Sequence, residues 1–199
     1  YGYAPLSMPA VLSSFFDRVS DADFRKHSWI DPKREYAYKS CYPDAAAFVE
    51  SLRDYSALKI RPGGGGYDDY AVGNTGEVNM MRMEEMLFIE AEAVGRANLE
   101  NGKALLKAIM DKRILDGSYV CAATDFATFQ EELIFQKRVE FWGEGVCMFD
   151  CKRANIGMTR GYAGTNAPST YCLNTEGRSP FWNIVITQQE TNNNLALTS

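Results

Sequence analysis

Hydrolytic chemistry in this chain would have to rest on carboxylates. Glu84, Glu85, Glu90, Glu92, Glu131, Glu132, Glu140 and Glu144 could supply the pair that glycoside hydrolysis needs. Each lies on or just beyond a predicted helix, where a carboxylate is ordinarily solvated or paired with Arg or Lys. The single histidine, His27, stands in Phe24-Arg25-Lys26-His27-Ser28-Trp29, and any Ser–His or Cys–His nucleophile would depend on it. No G-x-S-x-G elbow is present. No catalytic residue is assigned on this basis.

Phosphate and metal chemistry are no better supplied. Gly95 to Gly102-Lys103-Ala104 is a poor phosphate loop: the spacing is one too long, and Ala104 replaces the hydroxyl that would hold magnesium. Gly63-Gly64-Gly65-Gly66 has neither a preceding strand nor a following helix, so it is no dinucleotide fingerprint. Cys41, Cys121, Cys147, Cys151 and Cys172 are odd in number, and no histidine or second close pair accompanies Cys147 and Cys151. They read as buried free thiols, and no metal or cofactor is expected.

The elements that must position any site are mostly helical. At 199 residues, 46% hydrophobic and 24% charged, the chain is one domain or a large piece of one, with enough apolar side chains for a core. A net charge of −5 argues against a nucleic-acid partner, and no apolar run is long enough to cross a bilayer. The start carries no signal peptide and no initiator Met. Helical spacing is expected from Ser7 to Val19, from Asp44 through Leu52, from Met81 to Asn98, from Lys103 to Arg113 with a turn at Asn101-Gly102, and from Asp125 to Trp142 ended by Gly143 and Gly145. Tyr36, Tyr38 and Tyr42 suggest a short extended segment, and residues 61–76 an exposed loop. Cys147 to Cys151 reads as a short buried turn or strand, 157–180 as loops, and the Asn-rich end as a fading tail.

Three stretches resemble one family. Arg82-Met83-Glu84-Glu85-Met86-Leu87-Phe88-Ile89-Glu90-Ala91-Glu92-Ala93 is similar to a helix of the SusD/RagB family that carries an Ala-Glu-Ala triplet. Gln136-Lys137-Arg138-Val139-Glu140-Phe141-Trp142-Gly143-Glu144-Gly145, with Phe149-Asp150-Cys151-Lys152-Arg153, resembles its Glu-Arg-x-x-Glu-aromatic-x-x-Glu-Gly helix end and Asp-Leu-Lys-Arg continuation. Ile186-Thr187-Gln188-Gln189-Glu190 resembles its closing Ile-Pro-Gln-x-Glu segment, and Asp23-Phe24-Arg25 its Asp-x-Arg element. Lys137, Cys147 and Thr187 depart from the pattern, standing where Glu, Arg and Pro are usual.

The resemblance implies a mainly α fold with tetratricopeptide-like helix pairs, long irregular loops and few short strands, residues 1–199 forming the C-terminal region of a longer protein. It implies a non-enzymatic binding protein of the Bacteroidota outer membrane, surface-exposed and held by a lipid anchor not present in this chain. Its partners would be a SusC-like TonB-dependent transporter and a polysaccharide or oligosaccharide, or else a peptide. Sugar faces would need aromatic platforms, and candidates in irregular segments are Trp29, Tyr36, Tyr67, Asp68, Tyr70, Tyr162 and Tyr171. Arg82, Glu92, Arg138 and Glu140 are expected to form ion pairs that lock the helix pair to the third helix. Two other readings stand beside this one: a transporter-docking scaffold with its ligand site elsewhere, and a glycoside hydrolase.

Overall fold

The computed structural model describes residues 9–34, 50, 52–59, 80–183, 186–194 and 196. Among them the chain is mainly helical, and pairing between extended segments is limited to isolated bridges. The expected extended segment around Tyr36 to Tyr42, the glycine loop and most of the helix from Asp44 lie outside the described residues.

Three helices form the frame: α2 (Met83–Ala97), α3 (Leu99–Met110) and α4 (Phe126–Glu140). They follow α1 (Ser13–Arg18), shorter than the spacing from Ser7 predicts, because the chain is still extended at its N-cap, Leu12. The turn between α2 and α3 falls at Asn98, not at Asn101-Gly102. Asn98 leaves the helical region and its side chain accepts from the Asn101 N–H at 3.1 Å, so one residue ends α2 and caps α3. Gly102 is buried inside α3, where a Cβ would lie 2.3 Å from the Gly95 Cα. These two glycines let the helices touch backbone to backbone. Asp125 and Thr128 start α4 with reciprocal capping bonds, and Gly143 and Gly145 follow it with positive φ.

From Leu133 onward α4 is buried nearly all round because it stands between two cores. Phe129, Leu133 and the following Phe141 pack with Phe88, Ala91, Leu106 and Met110 of the α2–α3 pair. Phe135 and Val139 face the other way, onto Phe15, Phe16, Val19 and Trp29. Short extended segments close this second core: Ile30 N–H donates to Ser56 at 2.9 Å, and Ala57 N–H to Pro9 at 2.9 Å.

Two further expectations are corrected. Cys147 to Cys151 is neither buried turn nor strand but belongs to a helix, α5 (Cys147–Arg153), whose Met148 and Phe149 are exposed. The Asn-rich end holds a last helix, α6 (Gln188–Asn193), capped by Thr187. From 157 to 180 the chain is irregular as expected, with one isolated bridge between Thr159 and Asn174 and a 3-10 turn at Ser169–Tyr171. Cys121 is buried and Cys147, Cys151 and Cys172 are half-buried, all with free thiols. Burial pushes the Cys147 thiol up to about 12, with the Asp150 carboxylate adding to it.

Candidate binding site

Charged side chains gather at two places, and both are neutralised. Glu140, at the end of α4, accepts from Arg113 at 2.9 and 3.1 Å, from Arg25 at 3.1 Å and from Arg82 at 3.2 Å. Arg82 also reaches Glu144 at 2.9 Å, Arg113 reaches Glu84 at 3.2 Å, and Arg25 grips Asp23 at 2.6 Å. Lys59 completes the group by donating to Glu144. Four cations (Arg25, Lys59, Arg82, Arg113) thus meet four carboxylates (Asp23, Glu84, Glu140, Glu144). Burial alone would raise the Glu140 carboxyl, but the surrounding guanidiniums outweigh it and hold Glu140 down at about 2.

In the second group, between α4 and α5, Lys137 pairs with Asp150 at 2.6 Å, both almost fully buried. Asp150 also meets Arg153 at 2.8 Å, and Arg153 continues to Glu92, which accepts from Gln130 at 2.8 Å. Of the four residues expected to lock the helices, Arg82 and Glu140 therefore meet in the first group, and Glu92 joins α2 to α4 and α5 in the second. Arg138 is placed otherwise. Its guanidinium lies 4.8 Å from the Phe15 ring centroid, and among the described residues it makes no ion pair.

These locks have no carboxylate left over for acid–base work. The open site lies elsewhere, in a groove of about 910 Å³ where α1, the α4 end and the segments around 54 and 160–171 converge. Phe15, Tyr55, Trp142 and Tyr171 supply its aromatic surface; Arg53, Asp54, Arg138, Arg160 and Asn166 supply polar groups. Trp142 is half-buried and held edge-on by Trp29 at 5.9 Å between ring centroids; Tyr55 meets Phe16 edge-on at 5.4 Å. The 160–171 wall is fixed to α1. Asn166 donates to the Val11 carbonyl at 2.8 Å and accepts from the Ser13 N–H at 2.9 Å, while the Tyr162 hydroxyl lies 2.7 Å from the Ser13 hydroxyl and accepts from the Ser14 N–H at 3.1 Å.

Of the aromatic candidates, Tyr171 lines the groove and is 59% exposed. Tyr162 stands behind it as a fastener. Trp29 is fully buried between Phe15 and Trp142, which overturns its expected role as a platform: its large apolar ring is worth more in the second core than in water. Tyr36, Tyr67, Asp68 and Tyr70 lie outside the described residues. Reading from sequence passed over Trp142 as a helix-end residue, and did not single out Tyr55, Arg53, Arg160 or Asn166 at all. The one available signal was Trp142 beside Gly143, an aromatic side chain where a helix must end. No family model, curated protein or solved structure matches the chain.

Proposed function

We propose that this chain is the glycan-binding C-terminal portion of a SusD/RagB-type outer-membrane protein, which captures a nutrient for a TonB-dependent transporter and does no chemistry on it. The groove carries the reading. Trp142, Tyr55 and Tyr171 offer apolar ring faces on which a sugar ring can lie, and planar polar side chains stand among them to meet its hydroxyls. The resemblance supports it from another side: Arg82, Glu92, Glu140 and Glu144, all in the matching stretches, take part in the locks that hold α2, α4 and α5 together. Hydrolysis would need two carboxyls facing across the groove, and Asp54 is the one acidic residue among those lining it.

The test is affinity electrophoresis of the chain through gels containing soluble polysaccharides. Retardation by at least one polymer, abolished by Trp142→Ala or Tyr171→Ala, is expected. A chain that migrates unretarded through every polymer sinks the reading.

One observation favours a transporter-docking role for another face. Met83, Met86 and Ile89 recur every three residues along α2 and are exposed, and Phe149 of α5 stands exposed beside Ile89 around a smaller hollow. If this face docks, Met86→Lys with Ile89→Lys would abolish co-purification with the transporter and leave retardation unchanged.

A further inference from the structure

The chain as a whole is acidic, at −5, yet three arginines converge on one groove. Arg53, Arg138 and Arg160 line it against a single acidic residue, Asp54, which is already engaged by Arg34 at 3.2 Å. Arg25, Arg82, Arg113 and Arg153 each hold carboxylates. The three groove arginines make no ion pair among the described residues. The Arg138 guanidinium carbon lies over the Phe15 ring, 4.8 Å from its centroid, and no carboxylate among the described residues takes up its N–H groups. The groove's one carboxamide, Asn166, is committed at both ends, to the Val11 carbonyl and the Ser13 N–H. Beside the Tyr55 and Tyr171 hydroxyls, the charged groups left for a ligand are therefore cationic donors.

We infer that the groove selects acidic glycans, and that a uronic-acid carboxylate is received by Arg138 and Arg160 while the sugar ring lies against Trp142 or Tyr171. A planar carboxylate matches the guanidinium fork in a way that neutral hydroxyls do not. This inference rests on the glycan-binding reading of the groove and adds the charge of the ligand to it.

The experiment compares polygalacturonic acid, the same polymer fully methyl-esterified, and polyglutamate, each titrated against the full chain by calorimetry. Binding to polygalacturonic acid is expected, with at least tenfold weaker binding to the ester. Arg160→Gln should weaken the acid polymer about tenfold and leave the ester unchanged, the size expected for one hydrogen bond to a charged group. Arg160→Lys should recover only part of that, since charge remains but the fork is lost. Circular dichroism and thermal unfolding of the Arg160→Gln variant, expected to match those of the parent, check that the loss does not come from unfolding. Equal affinity for acid and ester, with Trp142→Ala abolishing both, overturns the acidic preference and leaves the glycan groove standing. Polyglutamate bound as well as polygalacturonate overturns it differently, by showing a general anion patch. No binding to any of the sugars removes this inference, and the proposed function falls with it only if the wider polysaccharide panel also fails.

Discussion

Glu140 is the carboxylate that three guanidiniums share, each of them also reaching another carboxylate, so its removal leaves four cations facing three carboxylates at the junction of α4 with the rest of the chain. A carboxyl held at about 2 when folded, against about 4.5 when unfolded, contributes stability that is present above pH ~4.5 and lost as pH falls toward 2. The shift corresponds to roughly 3 kcal/mol. Glu140→Gln should therefore lower stability by about that much at pH 7, with the gap closing as the pH falls from 4.5 toward 2. Urea unfolding at several pH values reads this directly; a gap that persists unchanged at pH 2.5 would contradict it. Arg82, Glu92 and Glu140 could be singled out from sequence because they lie in stretches that resemble known ones. Arg25 stands in the Asp-x-Arg stretch, but its partner could not be read, since it meets Glu140 across 115 residues of chain, and Arg113 has no local pattern to betray it. The same limit misplaced Trp29. Nothing near it in sequence shows that Phe15 and Trp142 will enclose its ring.

Helices α2, α3 and α4 were visible from apolar spacing, but where they touch was not. Gly95 and Gly102, whose spacing does not fit a phosphate loop, let two backbones and an aromatic ring close up. A Cβ on Gly95 would lie 2.4 Å from the Phe129 ring, and one on Gly102 would lie 2.3 Å from the Gly95 Cα. The ring can give a little; the backbone can give only by parting the helices. Gly102→Ala should thus destabilise more than Gly95→Ala, with both in the overpacking range of about 1–3 kcal/mol or somewhat above it, and thermal unfolding of the two variants should rank them in that order. Helix propensity alone makes the opposite forecast, a gain from each alanine, and a rise in Tm for either would show the close approach to be wrong. The boundaries went astray for a related reason. Asn101-Gly102 has the composition of a turn, yet Asn98 supplies the cap one turn earlier, and tertiary contact keeps Gly102 helical. α5 escaped notice because its exposed Met148 and Phe149 give it no polar outer face from which to read a period.

At the scale of the molecule, the groove exists because residues 160–171, far along the chain, are brought back onto α1. α4 separates the two cores and fixes Arg138 and Trp142 on one side of the opening; Asn166 and Tyr162 set the distance to the other. That composition of Gly, Thr, Asn and Tyr predicts loops correctly, but the polar side chains that pin such a loop bond to partners more than 140 residues away. Two of those bonds run through one carboxamide, so Asn166→Ala should release the wall and cost about 1–2 kcal/mol, because the Val11 carbonyl and Ser13 N–H then turn to water instead. The sharper consequence concerns shape. Tyr171 and Arg160 ride on the released wall, whereas Trp142 and Arg138 stay with α4. Amide exchange should quicken across 160–171 and remain slow in α4, and glycan retardation should weaken although none of the altered atoms is an aromatic platform or a guanidinium. If retardation falls while α4 exchange also quickens, the variant has loosened the second core and the loop is not an independent wall. If exchange quickens only in 160–171 and retardation is untouched, the ligand is held by the α4 side alone.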